Sequence, residues 1–448
     1  MHRLLIPTMC AIVFGLLSGC GGEATKKWSS GSGSSGSAGW RSSGEREASS
    51  ASGSWHRPAE DTAMVGTVST GTASQRTSPR QSDRPDELPG GIVTAGSYDD
   101  NLDPLFFAKF VSRMAQTSPL GDLPGKLRGQ RLMLVVKGRD GNPVGNARVR
   151  LDGAADGKGI ELVSRSDGRV VFLSSFDQFL TDEDIKVSVT PPDGSPTVTQ
   201  VVPRGSERWE ITLPEAVSPL PANLDLALLL DTTGSMGDEL EYLKAEIKNI
   251  ARTVRERFPQ VHTRYGLVLY RDLGDEYVTR SFPFTESVDE FRKNLAEQHT
   301  AGGGDEPEAM ERGLEEATKL QWGDRDTVRV MFLITDAPPH EKDINRALAA
   351  VNRLRSRGVA IYPVACSGYK DDCEVILRTF ALLTGSQFLF LTDDSGVGNA
   401  HGEPHIPAYQ VQKLDRLMVR VIASELAGKR IEPEQGEVLR TVGKPLKE

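Results

Sequence analysis

At 448 residues the chain is longer than one ordinary domain, and by the usual measure of about 150 residues per domain it predicts two or three folded units plus extra length. Hydrophobic residues are only 38% of it, below the roughly 45–50% of globular chains, so part of the sequence has no core to join. A net charge of -9, from 53 basic and 62 acidic residues, excludes a protein whose main task is to grip nucleic-acid phosphates.

In chain order, Arg3 precedes an apolar run from Leu4 to Leu17, shorter than the about 20 residues of a spanning helix, which predicts a secretory signal over residues 1–19. The run closes as Leu17-Ser18-Gly19-Cys20, which resembles a bacterial lipobox. The resemblance implies cleavage before Cys20, lipidation of that residue and anchoring in the bacterial cell envelope, each buried CH2 contributing about 0.8 kcal/mol. Gly21 lacks the acid that marks inner-membrane retention, so the same resemblance points to the outer membrane. Residues 20–97 are Ser, Gly, Thr, Arg and Glu with few large apolar side chains and read as a disordered linker. Residues 98–128 form a short helical and connecting segment, in which Leu105, Phe106, Phe110 and Val111 make an apolar stripe for a later domain.

Residues 129–214 read as short strands divided by turn chemistry: 132–136, 147–151, 170–173, 185–189, 198–202 and 209–213, with Asp140-Gly141-Asn142-Pro143 and Asp167-Gly168 between them. This is the pattern of a small all-β sandwich. Strand, Asp-Gly-x-Pro-Val, strand, then Asp-Gly before another strand resembles the carboxypeptidase regulatory-like, transthyretin-like domain, which implies a spacer without catalysis.

From residue 221 to 427 the rhythm is strand, helix, strand. Leu224–Leu230 is a near-continuous apolar run, as in a strand buried on both faces, and Leu243, Ile247, Ile250 and Val254 follow at helical spacing. Strands are expected at 265–270, 328–335, 359–364 and 387–391, and helices at 307–320, 343–354, 372–383 and 411–426. The alternation predicts an α/β fold with a doubly wound, mostly parallel sheet. Residues 428–448 read as a polar tail.

Ligands in such sheets sit beyond the carboxyl ends of the strands. The first strand ends in Asp231-Thr232-Thr233-Gly234-Ser235, which offers a carboxylate and two hydroxyls to one hard cation; the strand at 328–335 ends in Asp336; and Gly302-Gly303-Gly304-Asp305-Glu306-Pro307-Glu308 lies between them. These residues resemble the von Willebrand factor type A domain and its metal-ion-dependent adhesion site, written Asp-x-Ser-x-Ser, a distant Thr and a distant Asp. The resemblance implies that Asp231, Thr233, Ser235 and Asp336 hold Mg2+, or Mn2+ or Ca2+, directly or through water, and that a protein partner completes the metal shell. One departure stands out: the middle loop has no Thr, and Asp305 or Glu308 takes its place, Asp305 fitting the Gly-rich run better. The added carboxylate should tighten cation binding and weaken capture of an acidic partner. The alternative is a metal-free motif in which Asp231 caps its own loop.

Four further groups have two readings each. Arg271-Asp272 and Gly274-Asp275 edge the site or form a solvated loop. His401 and His405 bind zinc or order a turn, and Thr392, Asp393 and Asp394 are metal ligands or capping residues. Cys366 and Cys373 form a disulfide or remain two thiols. Phosphate-loop and nucleophile-elbow motifs do not occur, so the function expected is a membrane-anchored, metal-dependent, adhesion-type protein-binding module, not an enzyme. The alternatives are a metal-assisted hydrolase with His340 as the nearest candidate base, and a periplasmic scaffold whose metal is structural.

Overall fold

The computed structural model of the chain describes residues 93–153, 159–179, 183–216, 221–304, 306–395 and 401–443. The signal segment, Cys20, the linker up to residue 92, and Asp305 lie outside the described residues.

The elements are β1 (Thr94–Tyr98), α1 (Pro104–Met114) and α2 (Leu123–Lys126), followed by β2 (Arg131–Gly138), β3 (Arg148–Asp152), β4 (Ile160–Val163), β5 (Arg169–Leu173), β6 (Ile185–Thr190), β7 (Val198–Val202) and β8 (Arg208–Leu213). Then come β9 (Asn223–Asp231), α3 (Gly237–Arg257), β10 (His262–Tyr270), β11 (Thr279–Thr285), α4 (Val288–Ala296), α5 (Met310–Ala317), β12 (Thr327–Thr335), α6 (Ile344–Arg355), β13 (Val359–Ala365) and α7 (Asp371–Thr384). The last are β14 (Phe388–Thr392), β15 (Ala408–Lys413), α8 (Leu414–Ala427) and β16 (Arg440–Gly443).

The large sheet runs β11-β10-β9-β12-β13-β14-β1-β15-β16, with β10, β9, β12, β13 and β14 parallel. Both its faces are covered. Leu224, Leu226, Leu228 and Leu230 of β9 pack with α3 and α8, while Ala227 and Leu229 turn to α5, α6 and α7, which explains the unbroken apolar run of that strand. The second body is a sandwich of a β5-β2-β8 sheet on a β4-β3-β6-β7 sheet, with a core around Leu134, Val149, Phe172, Val187 and Ile211.

Several boundaries differ from expectation, and the strands among them are set by partners remote in sequence. Thr94–Tyr98, the end of the expected linker, is a buried strand wedged between β14 and β15, antiparallel to both. The sandwich is therefore an insertion between the first strand of the α/β body and the rest of it. In α1 the buried stripe is Phe107, Phe110, Val111 and Met114, and Leu105 stays exposed. Residues Val411–Lys413, expected as helix, belong to β15; part of the expected polar tail is β16, which pairs with β15.

The sandwich docks at the end of the sheet where the parallel strands begin. Arg355 donates to Asp177 Oδ1 at 2.7 Å and Oδ2 at 3.0 Å, and Arg165 pairs with Glu425, which also accepts from the Tyr362 hydroxyl at 2.6 Å and from Ser166 at 2.6 Å. These charges are buried, paired and hydrogen-bonded together, the condition under which ions persist in an interior.

Candidate functional site

The opposite rim, where the parallel strands end, gathers the expected cluster. Asp231 closes β9, and its Oδ1 accepts from the Thr233 backbone N–H at 3.0 Å and the Thr233 hydroxyl at 2.6 Å. The Thr233 and Ser235 hydroxyls lie 3.5 Å apart, and Ser235 hydrogen-bonds to Asp336. The pattern Asp231-x-Thr233-x-Ser235 thus becomes one continuous network ending on Asp336, which follows β12 directly. Asp231 does cap its own loop, Oδ1 accepting from both the N–H and the hydroxyl of Thr233, while Oδ2 accepts from the Thr335 hydroxyl.

Glu308 joins them. Its backbone N–H bonds to Pro338 O at 3.0 Å, tying the middle loop to the one after β12. Gly303, at φ +67, sits so close that a Cβ there would stand 2.9 Å from Glu308 Oε1 and 3.1 Å from Thr233 Cβ, so glycine is required by both conformation and space. Asp336 is 6% exposed and Glu308 4%, and Asp336 Oδ1 and Glu308 Oε2 have no hydrogen-bond partner. Burial, then the charge of Asp231, pushes Asp336 up to about 7. Burial, then Asp231, Asp272, Asp275 and Asp336, pushes Glu308 up to about 9. Asp231 is raised by burial too, opposed by its hydrogen bonds from Thr233.

Four residues that the motif does not contain complete the rim. The Thr335 hydroxyl lies 3.1 Å from Asp231 Oδ2 and accepts from the Tyr270 hydroxyl at 2.9 Å. Asp275, from the loop after β10, accepts from the Gly303 N–H at 3.0 Å, so this loop edges the site. Buried Arg271 fastens the loops by donating to Thr232 O at 3.1 Å and His299 O at 2.7 Å. The only sequence signal for Thr335 and Tyr270 was a hydroxyl at the end of a buried strand.

The other candidates are engaged elsewhere. His340 Nε2 is 2.7 Å from Asp272 Oδ1. His401 lies between Asp393, at 2.8 Å, and Ser367, at 3.0 Å, while His405 bonds Glu374 at 2.9 Å and stacks on Phe110. The two imidazoles therefore serve separate turns. Asp394 meets Arg440 at 2.8 Å. Cys366 and Cys373 are free buried thiols. Cys366 faces the core shared with α3 and α8 and Cys373 the core on the other side of the sheet, so the expected alternative of a disulfide is not realised.

Among the described residues no three carboxylate, imidazole or thiol groups gather into a cage by themselves. The donor set is instead mixed: carboxylate oxygens of Asp231, Asp336 and Glu308 with hydroxyls of Thr233 and Ser235. Orphaned carboxylate oxygens beside hydroxyls, all hard donors, fit a divalent cation of the Mg2+ type.

Residues 225–401 match the family of the von Willebrand factor type A domain. This segment is a von Willebrand factor type A domain. Its relatives include the Alpha-protein kinase vwkA of Dictyostelium discoideum, 30% identical over 119 residues, 26% of this chain and 19% of that protein. The von Willebrand factor A domain-containing protein 7 of Rattus norvegicus is 33% identical over 130 residues, 29% of this chain and 14% of that protein. The chain spans less than a fifth of the length of the curated relatives it matches. Among solved structures, the conserved hypothetical protein BatB from Bacteroides thetaiotaomicron aligns over 46% of this chain and 99% of its own, at 13% identity and a TM-score of 0.30. The type A domain supports a protein-interaction module.

Proposed function

We propose that the chain is a cation-dependent protein-binding module, anchored to the bacterial outer membrane by lipid on Cys20, whose type A domain grips its partner through a divalent ion. The observation that carries this reading is the pair of buried, partnerless oxygens, Asp336 Oδ1 and Glu308 Oε2, beside the Asp231–Thr233–Ser235 network. Asp231, Thr233, Ser235, Asp336 and Glu308 would hold the ion, with Asp305 as a further donor from the middle loop. The bound ion supplies an electrophilic centre for an oxygen of the partner. The residues themselves position it: Tyr270 and Thr335 orient Asp231 from below, and Gly303 lets the loop close. His340 is held by Asp272, and the role assigned to this rim is binding rather than turnover.

Two experiments test it together. Titration with Mg2+ and Mn2+ should give saturable heat that Asp231→Ala abolishes. Crosslinking in intact envelopes should recover a protein partner that is lost with chelator. Absence of cation binding in a folded chain rejects the reading; cation binding with partner recovery unaffected by chelator reduces the ion to a structural role.

A further inference from the structure

A second feature lies away from the acidic rim, where the sandwich meets the α/β body. A cleft of about 700 Å³ opens between Asn146, Arg148 and the Thr190–Pro192 segment on the sandwich side and the loop 318–325 with Arg357 on the other. This volume falls within the roughly 300–1,000 Å³ of small-molecule sites. Its lining runs against the charge of the chain: Arg148, Arg325, Arg329 and Arg357 line it, with Asp324 the acidic residue among the lining side chains.

None of these four arginines forms an ion pair among the described residues. Arg329, 5% exposed, spends its contacts on neutral acceptors: Nε on Gly323 O at 2.7 Å, Nη1 on Asn146 Oδ1 at 2.8 Å and Nη2 on Asp324 O at 2.6 Å. A guanidinium has five N–H donors, so each η nitrogen keeps one in reserve. The neighbouring carboxylate of Asp225 is already taken by Arg264, at 2.8 and 2.7 Å, and by the Gly323 N–H at 2.6 Å. Arg357 donates to Thr318 O at 2.7 Å, another neutral oxygen. Arg148 and Arg325 are exposed and make no side-chain hydrogen bond among the described residues. Elsewhere in the molecule the buried arginines Arg165, Arg355 and Arg378 each have a carboxylate, while Arg420 is held by the neutral oxygens of Gln412, Ile431 and Ser97. Asp225, Asp324 and Asp326 act on Arg329 from a distance without pairing with it, so a direct anionic partner is still open to a ligand.

We infer that this cleft is a binding site for a ligand carrying several phosphate or sulfate groups. Arginine forks match the geometry of tetrahedral oxyanions, and a cleft walled by protein focuses their potential. Trp322, with Pro191 and Pro192, gives the apolar wall for the body that carries the anions.

The test uses the full chain in buffer freed of divalent ions on a chelating resin. Calorimetry at low salt with tripolyphosphate should show saturable binding that weakens as salt rises. The double variant Arg148→Glu, Arg325→Glu changes only exposed, unbonded side chains, so it should keep its unfolding temperature and its response to Mg2+ while losing about tenfold or more in affinity. A parallel arm with phosphatidylcholine vesicles, with and without an anionic phospholipid, separates the two sources: vesicle binding lost in the double variant assigns a lipid headgroup, and tripolyphosphate binding alone assigns a soluble anion. No saturable binding, or equal affinity in the double variant, overturns the inference. Because the Mg2+ response is read on separate aliquots of the same protein without tripolyphosphate, failure here is distinguishable from failure of the rim.

Discussion

Where the sandwich docks, Arg355 faces both oxygens of Asp177 and Arg165 faces Glu425, so each of these buried carboxylates has its opposite charge within the chain. At the far rim, Asp336 and Glu308 are just as buried, yet each keeps an oxygen with no partner and both are pushed towards protonation. The two ends of one sheet bury carboxylates under opposite terms. Charge that is neutralised internally belongs to the architecture; charge left over marks where something from outside is expected to bind.

That contrast can be broken by mutation. The largest effect is expected from Arg355→Ala, which leaves the Asp177 carboxylate buried without its cation, with only the Leu173 N–H still donating to it: about 3–5 kcal/mol of unfolding free energy should be lost in urea titrations. The stabilisation by Mg2+ should survive in whatever fraction stays folded. Asp336→Asn should do the reverse, leaving metal-free stability unchanged or higher while removing the gain from Mg2+, about 2.7 kcal/mol at a hundredfold excess over Kd. If it instead destabilised the metal-free chain as Arg355→Ala does, the two rims would not differ in kind.

Acidity sharpens the same point. Glu308 and Asp336 have folded values above their unfolded ones, so the native state holds more protons and their contribution to stability is fully present below the unfolded range. Without metal, thermal stability should therefore fall as pH rises from about 5 through about 9, and saturating Mg2+ should flatten the slope because the ion replaces those protons. A metal-free profile that climbs over this range would contradict the burial of the two acids. The smallest effect is none at all: reductant should leave the unfolding temperature where it is, because Cys366 and Cys373 lie on opposite faces of the sheet.

Much of the rim was legible in the sequence because Asp231, Thr233, Ser235 and Asp336 follow directly on buried apolar strands, and a strand's end fixes where its next residues go. Glu308 was legible only as one of two candidates, since a Gly-rich loop gives no periodicity to place its side chains. Thr335 and Tyr270 read as ordinary strand residues. What local pattern could not show was pairing across distance. The Thr94 hydroxyl meets the Thr392 hydroxyl at 2.8 Å over 298 positions, and nothing near Thr94 announces that a strand belongs there. Likewise Val411–Lys413 has apolar spacing compatible with a helix until β16 arrives beside Val411 and β1 beside Gln412 and Lys413. The arginines at the sandwich junction carry no sequence signature either, because an unpaired guanidinium and a paired one are spelled the same way.

The position of β1 has a mechanical consequence. Tension on the chain ahead of residue 93 would enter the large sheet directly, through a strand hydrogen-bonded to β14 on one side and, at Thr94 and Ala95, to β15 on the other. The sandwich, spliced in after that strand, would lie off the line of pull, so such a force would load the large sheet first and spare the inserted body.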